Sequence, residues 1–172
     1  FATVSDSSYN LDFAFGDELV GVYPMTSSII IERYGASLSG RKKKVLYSLR
    51  NSLDFYSTLS PHYAYSSSLG NKEVQKINMI NVPSIFYGSS IEKGTIVLKY
   101  YVTGTLIAEA SDTFKDGVLY QTSGSTTGNS VGVALYNEGL LLLTSSANLD
   151  THGEAYTSAA TNYSASWHYF GT

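Results

Sequence analysis

Apolar and polar residues alternate over long stretches of this chain, and this period of two constrains its fold more than any other feature. From Ile96 to Ala110 every second position belongs to one apolar series, and the phase continues through Gly104. Successive side chains of a strand point to opposite faces, so the pattern predicts a strand with one buried face. We expect one long, bent strand or a bulge at Gly104.

Two short turn sequences predict hairpins in the second half of the chain. Lys115, Asp116 and Gly117 precede a strand-like run at 118–122, and residues 137–139 separate two further runs. Gly, Asn and Asp tolerate the backbone angles that tight turns between antiparallel strands require. The other predicted strands cover residues 9–15, 19–23, 28–34, 74–81, 82–87, 131–136 and 140–144.

One segment has the period of a helix instead. Its apolar residues lie three or four positions apart, which places them on one stripe of an amphipathic helix. We therefore predict a helix over about residues 41–59, and Pro61 requires it to end there. With the strands, this predicts an α+β fold of mostly antiparallel β structure, sandwich-like, with one helix. The stripe consists of Leu46, Leu49, Leu53, Tyr56 and Leu59.

The length of 172 residues is typical of one compact domain. Apolar periodicity ends near residue 144, and small and polar residues dominate from 145 to 166. We predict a single α+β domain over residues 1–144 and an arm-like extension over 145–172. No apolar run approaches the roughly 18 residues of a membrane-spanning helix, so we expect no membrane span.

Charged residues are few and unevenly distributed. They make up 15% of the chain, against about 25% in an average soluble domain. Residues 1–40 hold five acids and one base, residues 41–115 five acids and ten bases, and residues 116–172 four acids and no base. Such segments favour contacts between copies of the chain, while the net charge of −3 disfavours a nucleic-acid partner.

Two groups of residues are candidates for an interface. Arg41, Lys42, Lys43 and Lys44 form a basic run at the start of the predicted helix, opposite in sign to the acidic ends of neighbouring copies. A solvated helix start is the alternative. The C-terminal aromatic residues resemble those of binding surfaces, and packing inside the domain is an equal alternative. They are Tyr156, Tyr163, Trp167, Tyr169 and Phe170.

Ser130 is the one serine whose neighbours match a catalytic motif. Residues 128–132 read GNSVG, the written form of the hydrolase nucleophile elbow. That elbow needs a strand before the serine and a helix after it, whereas here a Gly/Ser/Thr loop precedes and a strand-like run follows. We therefore predict no enzyme, and a hydrolase using Ser130 or a carboxylate pair is the alternative.

The acids and histidines form no recognisable site either. Four acids lie at or beside predicted turns, where we expect their side chains to be solvated. The histidines lack partners at helical or hairpin ligand spacing, and the chain has no cysteine. We therefore expect no metal and no cofactor, and three remote histidines that converge in space are the alternative. The acids are Glu92, Asp112, Asp116 and Glu138, and the histidines are His62, His152 and His168.

Several phrases of the sequence resemble virion structural proteins of T4-like tailed phages, particularly marine and cyanobacterial myoviruses. Similarity is densest from Tyr47 to Thr144. The phrases are YSLRNSL at 47–53, LSPHYAYSSS at 59–68, PSIFYGSSI at 83–91 followed by Lys93 and Gly94, and ALYNEG at 134–139.

The resemblance implies a non-enzymatic component of a phage particle. It implies a domain or part of a longer chain, which agrees with the first residue, Phe1. The expected partners are copies of the chain and other virion proteins, and the expected location is the virion, assembled in the host cytoplasm. The alternative is a carbohydrate- or receptor-binding β-module in which exposed tyrosines and Trp167 stack on sugar rings.

Overall fold

A computed structural model describes residues 29–34, 46–151, 153–154 and 163–171. Its main element is a curled sheet of seven antiparallel strands, and two small sheets have two strands each. The predicted fold class of mostly antiparallel β structure is therefore confirmed. The strands are β1 (Ile30–Tyr34), β2 (Ser66–Ser67), β3 (Gly70–Asn71), β4 (Ile77–Asn81), β5 (Val97–Val102), β6 (Thr105–Ser111), β7 (Val118–Ser123), β8 (Ser130–Leu135), β9 (Leu140–Leu143), β10 (Gly153–Glu154) and β11 (Tyr163–Ser164).

The order across the large sheet is β1-β4-β9-β8-β7-β6-β5. Strands β5 to β9 follow one another as antiparallel neighbours, and β4 and β1 extend the sheet beyond β9. Among the described residues, β1 pairs only with β4 and β5 pairs only with β6. These two strands are therefore the edges of the sheet within the part of the chain that the structure describes.

A tight turn at Thr103 and Gly104 replaces the long, bent strand that the alternation predicts. Both residues have positive φ angles, 46° and 82°, as a type I′ hairpin turn requires. Val102 and Thr105 pair directly across this turn. The continuous series at 96–110 is therefore divided between β5 and β6, and that prediction was wrong.

The three hairpins of the β5–β8 part of the sheet each contain a register shift. In β8, Ser130 pairs with Tyr120 and Gly132 pairs with Leu119, so Val131 is an extra residue. A bulge of this kind changes which face the following residues occupy and increases the local twist. It lets Val131 and Ala134 reach one face of the sheet while Val133 reaches the other.

Two apolar clusters cover the two faces at the centre of the sheet. The first contains Ile80, Leu141 and Leu143, and the second contains Met79 and Leu142 from the same strands. Both faces of β4 and β9 are therefore buried, which explains their nearly continuous apolar sequences.

The second cluster is covered by the helix α1 (Arg50–Tyr56) and the residues that precede it. Leu46 and Leu53 are almost fully buried, as the stripe predicts. Leu59, however, is 67% exposed, because the helix ends at Tyr56 and the chain continues in turns towards Pro61. The predicted end near residue 59 was too late, and residues 41–45 lie outside the described part.

The described parts of the C-terminal region belong to the domain. Leu149 and Ala165 are buried in the first cluster, and the Leu149 N–H donates to the Ala165 carbonyl at 2.8 Å. A 3₁₀ turn at Trp167–Tyr169 follows. The predicted arm-like extension is therefore corrected for residues 145–151 and 163–171, which pack on the sheet because their few large apolar side chains are buried there.

One predicted strand is replaced by a turn. β4 ends at Asn81, and Ser84–Phe86 forms a 3₁₀ turn after Pro83 instead of the strand expected at 82–87. Proline has no N–H to donate to a sheet, which accounts for the break. No helix in the described ranges is long and apolar enough to cross a membrane.

Candidate functional site

Five of the nine predicted interface residues cannot be placed. The basic run Arg41, Lys42, Lys43 and Lys44, together with Tyr156, lies outside the described residues. The contribution of these five residues to an interface therefore stays a prediction.

Trp167 and Tyr169 are core residues, and their assignment to an exposed interface was wrong. Trp167 is 0% exposed and Tyr169 is 7% exposed. The indole N–H of Trp167 donates to Gln121 Oε1 at 3.0 Å, and its ring lies 5.8 Å from that of Tyr100. The domain thus buries the apolar ring of this indole and also provides an acceptor for its N–H. Trp167 is therefore not available to stack on a sugar.

Phe170 and Tyr163 are half-buried, and each packs on another aromatic ring. The Phe170 ring packs 5.6 Å from Trp167, while part of it faces a groove on the surface. The Tyr163 ring packs 5.5 Å from Tyr169, and the Lys76 ammonium lies 5.5 Å from its centroid. Of the predicted interface residues that the structure describes, Phe170 alone lines this groove.

The groove has a volume of about 950 Å³ and lies between the two edges of the curled sheet. Its floor includes Ile80 and Leu141, and its sides include Ile31 from β1 and Leu98 from β5. Glu92 is the one charged residue that lines it in the described ranges. A cavity of this size and polarity is suited to apolar side chains or an apolar ligand.

Asp112 fixes one wall of the groove. Its carboxylate is 1% exposed and accepts hydrogen bonds from the Gly94 N–H at 2.6 Å, the Ile96 N–H at 3.0 Å and the Tyr136 hydroxyl at 2.8 Å. Burial and this carboxylate raise the pKa of Tyr136. The expectation of a solvated turn acid was wrong for Asp112, because three donors converge on it and compensate its burial.

The C-terminal segment forms the opposite wall. The carbonyl of Phe170 accepts hydrogen bonds from Asn78 Nδ2 at 2.8 Å and from the Arg33 guanidinium at 3.3 Å. These bonds join the last described residues to β4 and β1. The wall is therefore held by polar groups of the sheet as well as by apolar packing.

His168 is buried beside this wall and is neutral at pH 7. Burial, together with the positive charges of Lys76 and Arg33, lowers its pKa to about 4. His62 lies elsewhere, on the loop before β2, and His152 lies outside the described residues. The described part of the chain contains no cluster of three His, Asp or Glu residues that could hold a metal ion.

Ser130 begins β8, and a strand follows it. It lines a small cavity of about 20 Å³ together with His62 and Lys72. The Lys72 ammonium is 5% exposed and donates to the His62 carbonyl at 3.0 Å and the Ala64 carbonyl at 2.6 Å. Burial lowers the pKa of Lys72 to about 8. The cavity has room for about one water molecule.

Large apolar side chains are also exposed outside the groove. Phe55 is 74% exposed on α1, Phe114 is 70% exposed after β6, and Tyr101 is 55% exposed on the edge strand β5. These positions were not singled out from the sequence, because their place in the alternation or stripe does not distinguish them from partly buried residues. The others are Ile30, Tyr47, Leu59, Leu69, Val74, Ile85, Val97 and Leu106.

Comparison of the chain with protein-family models, with curated proteins and with solved structures finds no match.

Proposed function

We propose that the chain is a non-enzymatic structural component of a tailed-phage virion, in a tail, neck or baseplate-type subassembly. It acts through self-association and contacts with other virion proteins. The sequence phrases at 47–144 suggest the particle. The observation that carries the protein-contact role is the exposed apolar surface, which includes Phe55, Tyr101 and Phe114.

The charged groups of the described surface support the same role. The two ion pairs among the described residues join Arg50 to Asp54 at 3.6 Å and Lys99 to Glu109 at 3.9 Å. Both are exposed, and such pairs contribute only about 0–1 kcal/mol within a monomer. The Arg50 and Lys99 side chains, each 51% exposed, are therefore accessible to a partner.

Aromatic side chains are frequent anchors of protein interfaces, and truncation of one anchor typically costs more than about 1 kcal/mol of binding. Phe55 and Tyr101 are exposed on different elements, α1 and β5. If the chain self-associates through one of these elements, replacing the aromatic residue on that element should weaken the association, and replacing the other should not.

Sedimentation velocity of the chain and of Phe55→Ser and Tyr101→Ser tests this role. We expect concentration-dependent association of the parent that is weakened about tenfold in at least one variant. Ser68→Ala, on an exposed loop residue, is the matched control and should associate like the parent. A parent that remains monomeric at every concentration, and is missing from virions analysed by mass spectrometry, would refute the proposal.

A glycan array separates this proposal from a carbohydrate- or receptor-binding module. Binding to a glycan by a chain that does not self-associate would favour the module, with an aromatic residue other than Trp167. Mass spectrometry of purified virions also tests the location, because a virion component is recovered with the particles and not only with the lysate.

A further inference from the structure

The groove between β1 and β5 has the features of a site for an extended chain segment. β1 and β5 each have one edge without a strand partner in the described sheet, and residues next to both edges line the groove. An unpaired edge offers backbone N–H and C=O groups to a further strand. The apolar floor at Ile80 and Leu141 offers pockets for every second side chain of that strand.

The sequence contains a segment with the required pattern. In residues 9–15, Leu11, Phe13 and Phe15 alternate with Asn10, Asp12 and Ala14. Its seven residues are enough to pair along the five residues of β1 or the six of β5. These residues lie outside the described part of the structure, so the inference uses only their sequence.

The connection to the groove is short enough. Ile29, the first residue described, lines the groove, and residues 16–28 separate it from Phe15. Thirteen residues can span up to about 43 Å when extended. A segment tethered this closely has an effective concentration in the millimolar range, which favours it over the same segment of a second copy.

We propose that the groove binds residues 9–15 of the same chain, with Leu11, Phe13 and Phe15 against its apolar floor and the backbone paired to an edge of the sheet. This interaction concerns the single chain and does not depend on the virion role. The apolar groove is then covered by the chain itself, and exposed aromatic residues that do not line it, such as Phe55, Tyr101 and Phe114, are left for other proteins.

Cysteine labelling tests the proposal directly, because the chain has no cysteine of its own. Leu98→Cys places a thiol in the groove, and Phe114→Cys places one on an exposed loop that does not line it. Each is made in the parent sequence and in a variant in which Leu11, Phe13 and Phe15 are replaced by asparagine. The rate of reaction with a water-soluble disulfide reagent is measured for all four proteins.

We expect the thiol at position 98 to react about tenfold faster in the asparagine variant, which corresponds to about 1.4 kcal/mol of docking free energy. The thiol at position 114 should react equally in both. Replacing Asn10, Asp12 and Ala14 by serine alters the other face of the segment and should leave the protection unchanged. Equal rates at position 98 in the parent and the asparagine variant would overturn the proposal.

Dilution distinguishes the two sources of the segment. Protection that is independent of protein concentration is expected for the chain's own segment, and protection lost on dilution would identify a second copy and refute the assignment. Fluorescence of Trp167, the one tryptophan, verifies that each variant is folded. If the triple variant does not fold, Phe13→Ala alone should still increase the rate at position 98.

Discussion

Replacing Trp167 by alanine tests whether the C-terminal segment is part of the core. The side chain is 0% exposed, and a tryptophan buries about 150–250 Å². At about 25 cal/mol per Å², this burial contributes about 4–6 kcal/mol as an upper estimate. Measured Trp→Ala losses of about 3–5 kcal/mol agree with that range. We therefore expect the free energy of unfolding to fall by about 3–5 kcal/mol.

Urea denaturation followed by circular dichroism measures this change, because the variant lacks the fluorescent residue. The midpoint should fall with little change in the slope m. Ile85→Ala, at a side chain that is 68% exposed, is the control and should change stability by no more than about 0.5 kcal/mol. A Trp167→Ala protein as stable as the parent would refute the core assignment. If it does not fold, Trp167→Phe keeps most of the ring and should lose only about 1 kcal/mol with the indole hydrogen bond.

Three other substitutions test buried contacts elsewhere in the domain. Gly117→Ala should cost at least about 2 kcal/mol, because Gly117 has a φ of 85° and an added Cβ would meet the Tyr63 hydroxyl. Asp112→Ala should cost about 3–5 kcal/mol, because the Tyr136 hydroxyl and two backbone N–H groups lose their buried acceptor. His168 has a folded pKa of about 4, below the usual 6.5, so the unfolded chain binds more protons between these values. Stability should therefore fall by up to about 3 kcal/mol as the pH decreases from 6.5 to 4, and His168→Gln should abolish that dependence.

Two of these predictions have a matched control variant, and urea denaturation measures all three. Gly88→Ala has a similar positive φ but nothing near the added Cβ, so a smaller loss separates the steric effect from the backbone effect. Glu92→Ala, at an exposed acid, should change stability by less than about 0.5 kcal/mol. Equal losses for the two glycine variants, a stable Asp112→Ala protein, or a pH dependence that survives His168→Gln would each contradict the corresponding argument.

The alternation at 96–110 shows what a period of two can and cannot reveal. A two-residue turn reverses the phase of alternation, because Val102 pairs with Thr105. The extra residue Ile107, between the pairs Tyr101–Leu106 and Tyr100–Ala108, reverses it again. The two changes cancel, so the sequence keeps one phase across a hairpin. The alternation therefore predicts β-strand correctly for these residues, but it does not reveal the turn that divides them into two strands.

Local sequence also identified part of the helix and the position of its buried stripe. Leu46 and Leu53 are buried as predicted, since the spacing alone places them on one face. The exposure of Leu59 depends on where the helix ends, and there the Ser57 hydroxyl donates to the Asp54 carbonyl at 2.5 Å. Termini are set by the turns that follow, which a stripe does not encode.

The burial of the C-terminal aromatic residues depends on partners that are distant in sequence. Gln121 lies in β7, where its own polarity and that of Thr122 and Ser123 after it suggest an exposed position, yet it is 2% exposed. Its Oε1 accepts from the Trp167 indole, 46 residues away, and from the Thr126 hydroxyl at 2.7 Å. The buried amide oxygen of Gln121 and the buried indole N–H of Trp167 thus pair with each other, and neither environment is visible from its own neighbours.

The same pairing determines which surfaces remain for assembly. Because Trp167 and Tyr169 lie in the core and Phe170 in the groove wall, these three aromatic residues stabilise the domain that, in the proposed role, carries the partner surfaces. Loss of Trp167 would then weaken assembly only through unfolding, whereas loss of Phe55 or Tyr101 would weaken it in a fully folded chain. Comparing association at equal folded fraction therefore separates a core aromatic residue from an interface aromatic residue.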